Sequence, residues 1–344
     1  MSNWNNIEER QHINISEKTY QTLLFDIERY HLTSLSSITN IIIENGCLTL
    51  PANPMIYLKE QEVMYNNIFT KYISDDIYNS IKNNIFNDIK NKTIDTYKKQ
   101  YCKNTKGVQK NIHYSKHSIQ LLECCDDIII DIYKRPGKFV NALFESFANL
   151  NDTERDKIIK KDIFKNINDS IKNKTIILIE MAHKQSYFIK PISIETHLNH
   201  TYVICKSCKK EDGINGTYIN MNPKLSNIIS VTNTLKPCNI SDKEKNDMLK
   251  KIKSNGAAYF YTNSEDIKIE LTTEGVRMYK SVFHQRPIYK SLEGNIYTFN
   301  CTQLQAYNYF FKFGSKAKVI SPQTLKDKFA SQYEDAYNTY KQLW

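Results

Sequence analysis

The chain has 344 residues, of which 40% are hydrophobic and 24% are charged, with only 9 glycines and 8 prolines. This length predicts two or three domains, and the composition excludes collagen-like and linker-dominated chains. No segment approaches the roughly 20 unbroken apolar residues that span a bilayer, and the first residues lack the features of a secretory signal. We therefore expect a folded cytoplasmic protein with no membrane partner. The formal net charge of +10 favours polyanionic partners such as nucleic acid.

The first fifty residues predict a short strand followed by two helices. Residues 12–16 alternate polar and apolar side chains, and residues 17–27 carry one apolar stripe at helical spacing. A second helix is predicted to begin between Ser34 and Ser37 and to end at Asn45-Gly46. Elements this short cannot bury their own apolar faces, so a second copy is needed to complete the core.

This pattern resembles a ribbon-helix-helix unit. In that family two antiparallel strands form a ribbon that enters the DNA major groove, and the second helix presents its N-terminus to a phosphate. The resemblance implies that His12, Asn14 and Ser16 contact base edges and that the backbone N–H groups near Ser36 and Ser37 hold phosphate. The alternative interpretation is that the strand and helices serve only dimerisation.

The same pattern returns 99 residues later, where residues 111–116 alternate as a strand and apolar residues then recur at helical spacing. After a break at residues 133–138, a second helix is predicted. Were this a second ribbon-helix-helix unit, one chain would build an intramolecular pseudo-dimer. In that case Asn111, His113 and Ser115 lie opposite His12, Asn14 and Ser16 on one ribbon. A helical connector with coincidental periodicity remains the alternative.

From Thr175 onward the pattern changes to five short strands, which predict a small barrel. The segments Phe188–Ile192, Thr201–Val203 and Lys224–Ile228 resemble three motifs of the WYL domain, an Sm-like barrel of bacterial regulators. Thr and Val replace Trp and Leu of the signature, and both arginines of the third motif are absent. Only Tyr202 of the three signature residues is kept.

WYL pockets are thought to bind anionic nucleotides or nucleic acid, so the resemblance implies a ligand site in the barrel. Its residues are Lys190, Tyr202, Lys206, Lys224 and Asn227, with Tyr202 stacking on a base. A solvated basic face around a structural tyrosine is the alternative. Cys205 and Cys208 form a CxxC pair, but on one continuous strand they point to opposite faces, so we predict no metal site. No cofactor is predicted.

The C-terminal part is expected to add strands at 257–261, 267–271 and 295–299, with a helix starting near Thr272. A helix over 303–313, a strand at 319–320 and a last helix opened by Pro322 follow. The run Tyr309–Leu325 resembles the C-terminal extension of WYL proteins, a ferredoxin-like α+β layer that commonly supports dimerisation.

The predicted fold class is therefore α+β, with five regions. Residues 1–50 form a ribbon-helix-helix unit, 51–108 a helical connector and 109–150 the second unit, if there is one. Residues 151–245 form a linker helix with the barrel, and 246–344 form the extension.

No catalytic motif is present, so we expect a non-enzymatic protein. The first interpretation is a homodimeric, ligand-responsive regulator that binds duplex DNA and senses a nucleotide. The second follows from the order of the modules, which resembles the WYL accessory proteins of type VI-D CRISPR systems. Those proteins bind single-stranded RNA and stimulate an RNA-guided RNase, which would make a CRISPR effector the partner. A structural or interaction protein is the third interpretation.

Overall fold

A computed structural model describes residues 4, 7–102, 107–259, 264–283 and 286–341. The chain is an α+β protein with two compact units. The first unit comprises most of the chain up to Asn166, with the short segments Met181–Lys184 and Leu225–Ser230. The second comprises Ile167–Glu180, Gln185–Lys224 and the chain from Val231 onward. In the described part of the chain, no helix is long and apolar enough to cross a membrane.

The first unit contains two strands and eight helices among its described residues. Serine side chains cap several of these helices, and Lys134, in the left-handed region with φ of 61°, ends the helix that precedes Pro136. The elements are β1 (Arg10–Ile15), α1 (Glu17–Arg29), α2 (Leu35–Gly46), α3 (Pro54–Tyr72), α4 (Asp75–Tyr101), β2 (Val108–His113), α5 (Lys116–Glu123), α6 (Asp127–Tyr133), α7 (Pro136–Ala148) and α8 (Asp152–Ile159).

Strands β1 and β2 pair antiparallel in a two-stranded sheet, here called the ribbon. Their inward side chains Ile13, Ile15 and Ile112 are buried in one core with residues of α1, α2 and α7. Both predicted strand-and-helix segments thus contribute to a single core, as elements too short to bury their own apolar faces require. The expected first helix of the later segment is two helices, because Asp126 caps a new one after Cys125.

The second unit begins within α9 (Lys161–Asn173) and contains most of a five-stranded sheet in the order β6-β5-β4-β3-β7, in which β3 to β6 pair antiparallel. The pattern predicted all five strands near their observed positions. Their bounds are β3 (Thr175–Met181), β4 (Ser186–His197), β5 (His200–Lys209), β6 (Ile219–Met221) and β7 (Ile228–Pro237). Helix α10 (Asp242–Asn255), which was not predicted, packs on this sheet through Met248 and Ile252.

The remaining elements form a four-stranded antiparallel sheet in the order β11-β8-β10-β9. They run β8 (Glu265–Leu271), α11 (Thr273–Ser281), β9 (Tyr289–Glu293), β10 (Ile296–Cys301), α12 (Gln303–Phe310), β11 (Ala317–Ser321) and α13 (Gln323–Lys341). Aromatic residues fill the core between sheet and helices, among them Tyr279, Phe299 and Phe310.

Two expectations for this region need correction. Residues 257–259 form a 3-10 turn rather than a strand, and residues 260–261 lie outside the described residues. Helix α12 ends at Phe310, before a 3-10 segment over Phe311–Lys316 in which Gly314 leaves helical geometry. Strand β9 was missed because its five residues are all exposed, so its sequence carries no apolar alternation.

Candidate nucleic-acid interface

The ribbon presents one polar, exposed face, here called the outer face. Successive side chains of a strand point to opposite sides, so the residues that alternate with the buried isoleucines turn outward. His12 lies directly opposite Asn111 in the register, Arg10 opposite His113, and Asn14 opposite Gln109. The structure thus brings four of the six predicted ribbon residues together. The outer face consists of Arg10, His12, Asn14, Gln109, Asn111 and His113.

The other two predicted ribbon residues, Ser16 and Ser115, lie beyond the ends of the strands and cap helices. The Ser16 hydroxyl caps α1 by accepting from the Thr19 N–H. The Ser115 hydroxyl accepts from the Ser118 N–H at 2.9 Å and donates to the Glu44 carboxylate at 2.6 Å. Because capping occupies both hydroxyls, we correct their expected role from base contact to support of the ribbon.

The N-terminus of α2 also differs from the prediction at Ser36 and Ser37. The cap is Ser34, whose hydroxyl accepts the Ser37 N–H, so that N–H is not directed at a ligand. The Ser36 hydroxyl accepts from the backbone N–H of His113 at 3.0 Å. Asn40 of the same helix binds the His113 carbonyl and the Ser115 N–H. These side chains therefore fix the end of β2 against α2.

A cavity of about 550 Å³ lies beside β1 and contains cationic groups that the motif analysis did not select. Arg135 is the cap residue of α7, and Lys138 is in the first turn of that helix. Together with Arg10 they line the cavity, where Glu8 supplies an acidic group. The basic residues within the break at 133–138 were the available signal, because Pro136 marks the first helical position and so places Arg135 and Lys138 at the helix start.

A buried ionic cluster lies within the same unit, between α1 and α8. Arg29 pairs with Asp152 and with Asp156, and the Tyr30 hydroxyl donates to Asp156 at 2.8 Å. Asp156 is 1% exposed and Tyr30 is fully buried. Burial raises the pKa of the Tyr30 hydroxyl well above its ordinary range, so it remains a hydrogen-bond donor.

Three further charged side chains lie in this region of the first unit. Arg155 lies 2.8 Å from the carboxylate of Asp26, and burial raises the pKa of Asp26 to about 6 despite the neighbouring arginines. Burial lowers the pKa of Lys160 to about 8, and its ammonium donates to the Ile228 carbonyl at 2.9 Å. Arg155 thus joins α8 to α1, Lys160 is bonded to the backbone at the start of β7, and all three side chains are buried.

The predicted ligand site of the second unit is rearranged around Tyr202. That side chain is only 6% exposed and packs with Ile192, Ile204 and Met248. Helix α10 covers this face of the sheet, so a base cannot stack on Tyr202 as the WYL resemblance implied. We correct its role to that of a core residue.

The polar residues predicted with Tyr202 do not converge on one ligand site. Lys206 pairs with Glu244 of α10 at 2.6 Å. Lys224 forms an isolated antiparallel β-bridge with Tyr202, a backbone contact. Asn227 belongs to the first unit. Lys190 is the register partner of Lys206.

The ammonium of Lys190 lies 4.2 Å from the Tyr218 ring. Both residues line a second cavity of about 430 Å³ together with Lys236. Sequence reasoning found only Lys190 of these three, because Lys236 lies beyond the predicted end of its strand.

Cys205 and Cys208 lie on the continuous strand β5, as expected, so their side chains point to opposite faces. Burial raises the pKa of both thiols, which keeps them protonated. Among the described residues, no group of three or more His, Cys, Asp or Glu side chains is arranged to hold a metal ion.

No protein-family model matches the chain, and no curated protein matches it. A solved structure described as the crystal structure of a CRISPR Cas-related protein superposes with a TM-score of 0.76 at 19% sequence identity. That match covers 99% of this chain and 97% of the other. Proteasome accessory factor B/C of Arthrobacter aurescens has a TM-score of 0.27 at 11% identity, over 67% of this chain and 37% of that factor. The first comparison shows a shared fold over the full length of both chains, and the second is too poor to compare folds.

Proposed function

We propose that this protein is a non-enzymatic nucleic-acid-binding regulator that contacts duplex DNA with the outer face of its ribbon. The observation that carries the proposal is the pairing of β1 with β2, which turns polar side chains out and isoleucines in. The major groove of B-DNA admits a two-stranded ribbon, and side chains of the outer-face types read base edges there. In the same proposal the first unit is a ribbon-helix-helix module built from one chain.

Electrostatics support binding to a polyanion. The formal charge of the chain is +10, and Arg10, Arg135 and Lys138 place three cationic groups around the cavity at the edge of β1. Phosphate contacts position a protein on a duplex, whereas base contacts carry the sequence preference. Arg135 and Lys138 therefore supply affinity through phosphate contacts, and the outer face, which includes Arg10, supplies specificity.

A second candidate function is that of an accessory protein of a CRISPR effector that binds single-stranded RNA. The full-length fold shared with a CRISPR Cas-related protein favours it. In this candidate the RNA contacts the cavity of Lys190, Tyr218 and Lys236, since Tyr202 is buried. An aromatic ring beside lysines is suited to stacking bases along a charged strand. We further propose a WYL-like five-stranded module and a ferredoxin-like C-terminal layer.

Binding of the full-length protein to duplex DNA and to single-stranded RNA across a salt series tests both candidates. In the first, His12→Ala with Asn111→Ala weakens duplex binding at least tenfold, and Lys190→Ala with Lys236→Ala has little effect. The second predicts the reverse pattern on RNA. Asp131→Asn, which removes an exposed charge from a residue that lines neither cavity, serves as the control. Duplex binding that survives the His12 and Asn111 double substitution would refute the ribbon as the site.

A further inference from the structure

The two ends of the outer face carry different chemistry. The antiparallel register places Arg10 beside His113 at one end and Asn14 beside Gln109 at the other. One end therefore presents a guanidinium with an imidazole, and the opposite end presents two carboxamides. The His12–Asn111 pair lies between them.

These ends are not interchangeable, because both strands come from the same chain. A half-turn about the His12–Asn111 pair would exchange Arg10 with Gln109 and Asn14 with His113. In a ribbon made from two identical chains this rotation exchanges identical residues, and the bound sequence is palindromic to match. Here the rotation replaces a cation with an amide at one end and an amide with an imidazole at the other.

We infer that one chain reads a non-palindromic duplex, with guanine preferred at the Arg10–His113 end and adenine preferred at the Asn14–Gln109 end. This inference rests on the proposed duplex-binding function. Arginine pairs in bidentate fashion with the O6 and N7 atoms of guanine, and asparagine and glutamine pair likewise with N6 and N7 of adenine. Side chains four residues apart on a strand are separated by about 13 Å, which corresponds to about four base pairs.

The residues that flank the two strands of the ribbon also differ. Arg135 and Lys138 stand beside β1, whereas at the end of β2 the neutral Ser36 and Asn40 are bonded to the His113 backbone. On the other flank the exposed Lys116 begins α5, shortly after β2. At the offset of 99 residues Lys116, Arg135 and Lys138 correspond to Glu17, Ser36 and Thr39, so the half-turn does not superpose these cations on other cations. A bound duplex has one orientation that places its phosphates against these cations.

Selection of the full-length protein on a duplex library with a random stretch of about two helical turns tests the inference. We expect a motif without two-fold symmetry, with guanine and adenine about four base pairs apart. Arg10→Ala should lower the preference for guanine about tenfold at one position only, and Gln109→Ala should relax only the adenine end. Combining Arg10→Gln with Gln109→Arg should move the guanine preference to the other end.

The outcomes separate this inference from the function on which it rests. A palindromic motif, or an Arg10→Ala variant that relaxes two symmetry-related positions, overturns the inference while duplex binding stands. Binding without sequence preference overturns it as well. If the protein binds no duplex, the proposed function fails first. If selection yields an inverted repeat bound by two chains, binding to a duplex that carries one copy of the motif decides the outcome. The inference stands only when that single copy is itself non-palindromic.

Discussion

Asp156→Asn should destabilise the first unit by about 3 kcal/mol. The carboxylate accepts from the Tyr30 hydroxyl at 2.8 Å and from Arg29 at 3.1 Å, and the side chain is 1% exposed. A hydrogen bond to a charged group contributes about 1.5–3 kcal/mol, and breaking a buried ion pair from one side costs about 3–5 kcal/mol. The value lies at the low end because Arg29 keeps its second partner, Asp152.

Urea unfolding followed by tryptophan fluorescence measures this loss. The chain has 2 tryptophans, and Trp4 packs in the core of the first unit, 6.1 Å from the Phe139 ring. A Trp344→Phe background makes Trp4 the sole reporter. Asp131→Asn is the matched control in the same unit, since its ion pair with Lys134 is exposed and is worth at most about 0.5 kcal/mol. If both variants lose the same free energy, the buried cluster does not stabilise the fold.

Three further perturbations probe the same unit. Because burial raises the pKa of Asp26 to about 6, the folded unit holds this proton more tightly than the unfolded chain, so stability should fall by about 3 kcal/mol as the pH rises from about 4 through about 6; urea unfolding of Asp26→Asn should show a flatter profile. Gly107→Ala places a methyl group against the Ile15 carbonyl oxygen and should cost about 2 kcal/mol, with faster amide exchange in β1. Ser115→Ala removes a cap and a hydrogen bond to Glu44, and a loss of about 2 kcal/mol in urea is expected.

The strands of the ribbon could be predicted because their signal is local. Alternation over five or six residues identifies a half-buried strand without knowledge of its partner. The outer-face residues His12, Asn14, Asn111 and His113 follow from that alternation. Ser16 and Ser115 continue the alternation by one step, but each precedes a helix. There the serine side chain caps the helix by accepting a backbone N–H instead of extending the outer face.

The environment of Tyr202 could not be predicted in the same way. Its burial depends on α10, a helix of low apolar content that contributes only a few side chains, among them Met248, to the contact. The capping box formed by Ser241 and Glu244 was a local signal for this helix, but no local signal shows which face of the sheet the helix covers.

The buried ionic cluster was missed for a related reason. Asp26 and Arg29 look like ordinary charged residues of α1 until α8 packs on them.

Both strands of the ribbon come from one chain, so its two halves can differ in sequence. A homodimer must build both halves of its ribbon from the same residues. In a homodimer each outward substitution changes both halves of the reading surface, and each inward substitution changes the core twice. In this chain four supporting positions remain chemically matched at an offset of 99 residues, whereas the three outward residues at the same offset differ. A common core thus supports two unlike halves of the outer face, and in the proposed duplex-binding function the side chains rather than symmetry set the orientation on the duplex. The matched supporting pairs are Ile13 with Ile112, Ser16 with Ser115, Thr19 with Ser118 and Leu23 with Leu122, and the unlike outward pairs are Arg10 with Gln109, His12 with Asn111 and Asn14 with His113.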